Sequence, residues 1–213
     1  MIFDFPFHPI AFFALGIERF LYGYCFIFTD HFKTSVDQNK FPGLTKIPKD
    51  GYYWRCMQRL GMYIKVFQFS VVIYDLLVLD RENILKNLFQ GGMLSSPEHK
   101  IQLAIGAGLL FVGQLLNYSV FNALGAKGVY YGYEFGYKVE RVTCFPYNLN
   151  MNDPQYWGVV FCIFGIYLVV GASSFVIPTF ELFWYVMSMK VLENERGRRW
   201  IEPLFKSANA KSV

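Results

Sequence analysis

From Ile101 to Leu124 the chain carries no charged side chain. A helix needs about 20 predominantly apolar residues to cross the hydrocarbon of a bilayer, and only helices or closed barrels satisfy their backbone there. This run therefore sets the class of protein before any other feature is weighed. Composition agrees: 54% of the residues are hydrophobic and 17% charged, against about 25% charged in an ordinary soluble domain. A second stretch, Tyr156 to Leu192, is apolar apart from Glu181 and Lys190. The expectation is an all-α, polytopic integral membrane protein with four to five hydrophobic helices, the last two forming a hairpin.

Five hydrophobic segments are legible. Pro9–Phe28 is interrupted by Glu18-Arg19, so it is open to a crossing or to a partly interfacial course. Leu60–Leu79 carries Lys65 near its start, where a long stem can snorkel, and Asp75 near its end. Ile101–Leu124 follows a helix-start pattern, Ser95-Ser96-Pro97-Glu98, with proline early in the helix. Tyr156–Ala172 and Phe175–Leu192 are split by Gly171-Ala172-Ser173-Ser174 and read as the hairpin. Glu181, inside the last segment, is a functional candidate by default.

Three spans followed by a hairpin put residues 29–59, residues 125–155 and the C-terminal tail on one side. Those regions, counting Lys190 with the tail, hold fifteen of the twenty Lys and Arg residues. The positive-inside rule assigns that face to the cytosol or the mitochondrial matrix. The expected location is the endoplasmic reticulum or the mitochondrial inner membrane. The net charge of +4 is divided among loops, which suits anionic headgroups and lacks the concentrated stripe that nucleic acid binding needs. His8, His31 and His99 are far apart, and the four cysteines show no CxxC spacing. No metal is expected.

Between Gly113 and Trp157 runs a string of small, aromatic and turn residues: Gly113-Gln114-Leu115-Leu116, Leu124-Gly125, Gly128, Tyr130-Tyr131-Gly132, Phe135-Gly136, Arg141-Val142-Thr143, Phe145-Pro146-Tyr147-Asn148 and Pro154-Gln155-Tyr156-Trp157-Gly158. Glycines admit close backbone approach and aromatic faces hold cations. A ligand pocket at the membrane boundary is the reading to test. Gly113, Gly125 and Gly128 are equally open to helix packing, and Tyr130, Tyr131, Tyr156 and Trp157 to interfacial anchoring.

The stretches Arg141 to Asn148 and Asp153 to Val159 resemble the phospholipid N-methyltransferases, whose pattern runs LG-x-x-G-T-(Y/F)-x-G-D-Y-F-G, R-V-T-x-F-P-(F/Y)-N, N-P-M-Y-W-G-S and a late E-E-P-F. The likeness covers roughly residues 100–195. It implies methyl transfer from S-adenosylmethionine to a phosphatidylethanolamine-type lipid amine. It further implies Glu193 and Glu134 as catalytic carboxylates, and Gly113, Gly128, Gly132, Arg141 and Glu193 as cofactor contacts. Tyr131, Tyr156, Trp157, Arg198 and Arg199 are the candidate lipid contacts. The implied division is 1–99 for N-terminal membrane segments and polar loops, 100–200 for the methyltransferase-like core and 201–213 for a polar tail.

The chain departs from the pattern at several positions. Tyr133 replaces the aspartate of G-D-Y-F-G, Asn194 the second glutamate, Val129 the threonine and Val159 the serine. Two readings follow. One is an active transferase acting on membrane phospholipids. The other is a catalytically silent member, a lipid-binding structural or accessory subunit of a larger membrane complex, with mitochondrial assemblies included.

Overall fold

The computed structural model describes residues 7–38, 40–41, 52–89 and 96–210. Ser95, part of the helix-start pattern, lies outside them. Eight α-helices follow in order among the described residues: α1 Phe7–Ile27, α2 Thr29–Asp37, α3 Tyr52–Tyr74, α4 Arg81–Phe89, α5 Pro97–Val129, α6 Pro154–Val170, α7 Val176–Met187 and α8 Glu195–Ala210. π-Helical turns extend α3 through Asp75–Leu79 and α7 through Ser188–Leu192. Among the described residues three helices are long and apolar enough to span a bilayer: Phe7–Ile27, Tyr52–Leu79 and Pro97–Val129, with Pro154–Val170 a shorter apolar helix. The protein is an all-α integral membrane protein, as the hydropathy pattern requires.

The longest helix starts where the capping residues say. The Ser96 side chain accepts from the His99 N–H at 3.3 Å, which satisfies one of the orphan donors of a helix start. Pro97 occupies the first turn. Near its other end Gly125 adopts φ 63°, ψ 172°, a conformation open essentially only to glycine. The helix kinks there, and residues 126–136 turn back toward the bundle.

The hairpin forms with α6 ending at Gly171, whose φ is 64°. The Gly171 carbonyl accepts from Asn83 and Asn87, each at 2.7 Å. Asp80 accepts from the backbone N–H and the hydroxyl of Ser173 at 2.8 and 2.6 Å. The short α4 thus ties down the turn at this end of the bundle.

Helices α5 and α6 run antiparallel along a glycine seam. A Cβ on Gly113 would stand 2.6 Å from the Gly158 carbonyl oxygen, and one on Gly165 2.9 Å from that of Gly106. The glycines recur every seven residues on both helices, at 106 and 113 and at 158 and 165. Small residues let membrane helices approach this closely, and dispersion contacts replace the hydrophobic drive that lipid removes.

Helix α1 is central and long and apolar enough to span, and its two charges are both paired inside the protein. It runs parallel to α7, with Phe12 against Phe180 and Gly16 under the Trp184 indole, and Trp184 Nε1 donates to the Phe12 carbonyl at 2.7 Å. Against α3 it runs antiparallel, since Gln68 Nε2 donates to the Leu15 carbonyl at 2.6 Å while Gly61 faces Tyr22. Helix α3 starts at Tyr52, earlier than the apolar run at Leu60, because its first turns are amphipathic; Arg55 stacks on Trp54 at 4.5 Å. Residues 201–210 of the expected tail continue α8.

Candidate functional site

The C-terminal ends of α1, α5 and α7 converge with the N-terminal ends of α3 and α6. Between them lies a cavity of about 360 Å³, within the range of small-molecule sites. Tyr22, Tyr130, Tyr131, Tyr147, Tyr156 and Tyr185 face it, together with Glu18, Arg19, Lys65, Asp153 and Glu193. Leu124, Gly128 and Val129 supply the α5 wall.

Glu193 follows the π-helical turn after α7 and has a side chain only 10% exposed. Tyr131 and Tyr156 both donate their hydroxyls to its Oε2, and Ser188 donates to Oε1. The two tyrosines come from opposite ends of the connection between α5 and α6. The carboxylate therefore draws that connection closed, reaching back 62 residues along the chain to Tyr131. Tyr131 meets it from a left-handed backbone position, φ 58°. Burial and the adjacent Glu193 push its phenol well above the usual tyrosine range, so the hydroxyl stays a donor.

A buried ion network forms the opposite wall. Arg19 Nη2 lies 2.8 Å and Lys65 Nζ 2.5 Å from Glu18 Oε2, and Arg19 Nη1 lies 4.0 Å from Glu193. Lys65 also donates to the Tyr185 hydroxyl at 3.0 Å and to Gln68 at 3.3 Å. The Arg19 guanidinium is caged by the rings of Tyr22, Tyr156 and Tyr185 at 4.4–4.6 Å, an arrangement in which a delocalised planar cation is favoured over an ammonium. Among the described residues its buried Nε and Nη1 find no hydrogen-bond partner. Counting Glu18, Asp153 and Glu193 against Arg19 and Lys65, the lining carries one excess negative charge.

A smaller cavity of about 170 Å³ continues deeper, sharing Lys65, Asn117 and Val159 with the first and adding Gln68, Gln114 and Glu181. Glu181 is 3% exposed.

Of the residues singled out in the sequence, Glu193, Gly128, Tyr131 and Tyr156 meet at the cavity. Gly113 lies in the α5–α6 seam. Gly132 belongs to the turn after α5, where a Cβ would meet the Lys127 carbonyl at 2.5 Å. Glu134 pairs with Arg198 at 4.0 Å, away from the lining. Arg141 and Arg199 are exposed, and Trp157 packs on Phe161 with a ring separation of 6.1 Å. Sequence reading did not bring Glu18, Arg19, Lys65, Tyr185 or Asp153 into the site. The available signal was the presence of opposite charges in two separate apolar segments, which in lipid must find each other.

Residues 101–199 match the family model described as phospholipid methyltransferase. A phosphatidylethanolamine N-methyltransferase of Homo sapiens is 33% identical over 97 residues, covering 45% of this chain and 48% of that protein. A phosphatidyl-N-methylethanolamine N-methyltransferase of Arabidopsis thaliana is 44% identical over 52 residues, covering 24% of this chain and 31% of that protein. The chain thus spans about half the length, or less, of these curated relatives. No solved structure matches it. The matched region contains the seam, the closing connection and Glu193, and over it this chain is similar to the phospholipid methyltransferases.

Proposed function

We propose that the protein is a phospholipid N-methyltransferase that moves a methyl group from S-adenosylmethionine to the amine of a phosphatidylethanolamine-type lipid at the membrane boundary. The observation that carries this reading is Glu193, held by Tyr131, Tyr156 and Ser188 in a tyrosine-lined cavity with one excess negative charge. Such a lining suits a cation. The residues fit the donor at its other end as well, since Arg19 Nε and Nη1 are buried donors that make no hydrogen bond among the described residues, Nη1 lying 4.0 Å from Glu193, and would take a carboxylate.

S-adenosylmethionine, when bound, supplies an electrophilic methyl group on a sulfonium. The chain's own contribution is positioning and electrostatics. Glu193 and the tyrosine faces hold positive charge as it passes from sulfur to nitrogen. Arg19, fixed by Glu18 and three rings, orients the donor's carboxylate, and a preset orientation lowers the barrier. The cavity's place at the helix ends gives a bilayer lipid access to it. On this reading the endoplasmic reticulum or the mitochondrial inner membrane, with the cavity toward cytosol or matrix, is the proposed setting.

The silent reading, an accessory lipid-binding subunit, is favoured by one feature: Glu193 already has three hydroxyl donors and needs no ligand to be satisfied. The same assay separates the two. The purified protein in phosphatidylethanolamine nanodiscs is given S-adenosylmethionine labelled in its methyl group. The transferase reading expects label in the lipid and a loss on the order of 100-fold in Glu193→Gln. Absence of lipid label from the wild-type protein, with donor and acceptor in excess, contradicts it.

A further inference from the structure

Glu18, Asp153 and Glu193 all line the large cavity, and they differ in what holds them. Glu18 is bound by Arg19 and Lys65. Glu193 accepts from Tyr131, Tyr156 and Ser188. Asp153 stands at the N-terminal boundary of α6, the position where aspartate ordinarily caps its own helix, yet its side chain makes no capping hydrogen bond. Its backbone is left-handed, φ 49°, ψ 57°, which is uncommon outside glycine. Among the described residues no hydrogen bond or ion pair engages its carboxylate. Asp153 is exposed, so both oxygens are free of side-chain donors and open to water, at the rim of a lining that also holds Glu193 and the α5 end.

An aminophospholipid arrives as an ammonium, and nitrogen has no lone pair to offer until one N–H bond breaks. A carboxylate already saturated with donors is a poor acceptor for that proton. We propose that Asp153 is the general base of the reaction in the lipid headgroup subsite, which rests on the transferase reading above. The ammonium N–H bond breaks, its electron pair stays on nitrogen, and the proton forms an O–H bond on Asp153. The products of this step are a neutral amine and a neutral carboxyl group, and the proton later leaves to water at the cavity mouth.

The groups around Asp153 support the role. Glu193 and Lys190 face it from the π-helical turn after α7, and Tyr147 from the 3₁₀ turn Tyr147–Leu149. Although Asp153 is exposed, partial desolvation at the cavity rim, with Glu193 next in weight, raises its carboxyl above the ordinary aspartate range, and Lys190 acts against them. Burial beside Asp153 pushes the Tyr147 phenol up to about 12, so it does not compete for the proton at neutral pH.

The test compares wild type with Asp153→Asn in phosphatidylethanolamine nanodiscs. Initial rates across pH should show the variant down on the order of 100-fold near neutrality. The deficit should close at alkaline pH, where the lipid amine is already neutral. Calorimetric binding of S-adenosylmethionine should weaken far less than the rate, by no more than the loss of one lining charge. Independently of turnover, infrared difference titration should show a carboxyl band that is absent in Asp153→Asn and titrates above the range of free aspartate. Parallel pH profiles in an active wild type overturn the base alone, as does a loss of S-adenosylmethionine binding in the variant as large as its loss of rate, or a carboxyl band with the ordinary aspartate titration. A wild type that transfers no methyl group overturns the transferase reading and the base with it.

Discussion

The seam between α5 and α6 and the cavity beyond it are built from the same kinds of residue, yet they do opposite things. In the seam, Gly106, Gly113, Gly158 and Gly165 remove side chains so that two backbones touch. Roughly three to four turns beyond Gly113, Gly125 and Gly128 let α5 bend away and leave room. A glycine closes space when its neighbour helix is aligned with it and opens space when its own helix ends. The apolar seam can be dry because it holds no side-chain charge. The cavity wall instead carries acids and bases together, and it survives in a membrane protein because Glu18 and Glu193 balance Arg19 and Lys65.

The largest effect expected from breaking this contrast is in the seam. Gly113→Leu drives a side chain into the Gly158 carbonyl and the Cys162 sulfur, and little folded protein should survive size-exclusion chromatography in detergent. Gly108, on the same helix, is the matched control, since a Cβ added there would meet no described atom within 4 Å. Gly108→Ala should be neutral or stabilise by up to about 1 kcal/mol. If both substitutions behave alike, the seam is not what joins α5 to α6.

Next in size is the ion network. Arg19→Met leaves a buried Glu18 with Lys65 alone and takes from Glu193 the cation 4.0 Å away. Breaking a buried pair by removing one partner costs about 3–5 kcal/mol, read as a fall in thermal midpoint. Combining it with Glu18→Gln should cost less than the sum of the two single changes, the signature of direct coupling. Simple additivity would mean that the two side chains do not act as a unit.

The smallest effect concerns Asp153. Its carboxyl is raised in the fold above its unfolded value, so ionising it opposes folding. Wild type should therefore lose stability relative to Asp153→Asn as pH rises from the unfolded pKa of about 3.9 to the folded one, and the gap should be constant above that. With solvent screening of a partly open group, the difference should stay within about 2 °C. A gap that opens in the reverse sense would place Asp153 among stabilising partners.

Much of the fold was legible because lipid imposes a simple code. The uncharged run fixed the α5 span, Ser96-Pro97 fixed its start, and Gly171 fixed the turn between α6 and α7. Glu193 was singled out only through the resemblance, and the structure puts it at the cavity. What the sequence could not separate was the role of each glycine, since Gly113 and Gly128 differ only in what faces them. Arg19 was hidden for a similar reason. Its partners come from α1, α6 and α7 and from the turn beyond α7, and no local spacing brings Tyr22, Tyr156, Tyr185 and Glu193 together. Asp153 was hidden by its own position, which reads as a helix cap until the side chain is seen to make no capping bond.

The proposal that Glu193, closed over by Tyr131 and Tyr156, makes the cavity a site for a cationic methyl donor is open to a direct test. Calorimetry follows S-adenosylmethionine titrated into the detergent-solubilised protein, with Glu193→Gln and the exposed-site variant Arg199→Gln measured alongside. Wild type and Arg199→Gln should bind saturably, and Glu193→Gln at least about tenfold more weakly, a loss of about 1.4 kcal/mol or more. Equal affinity in all three proteins, or no binding to any, would contradict it.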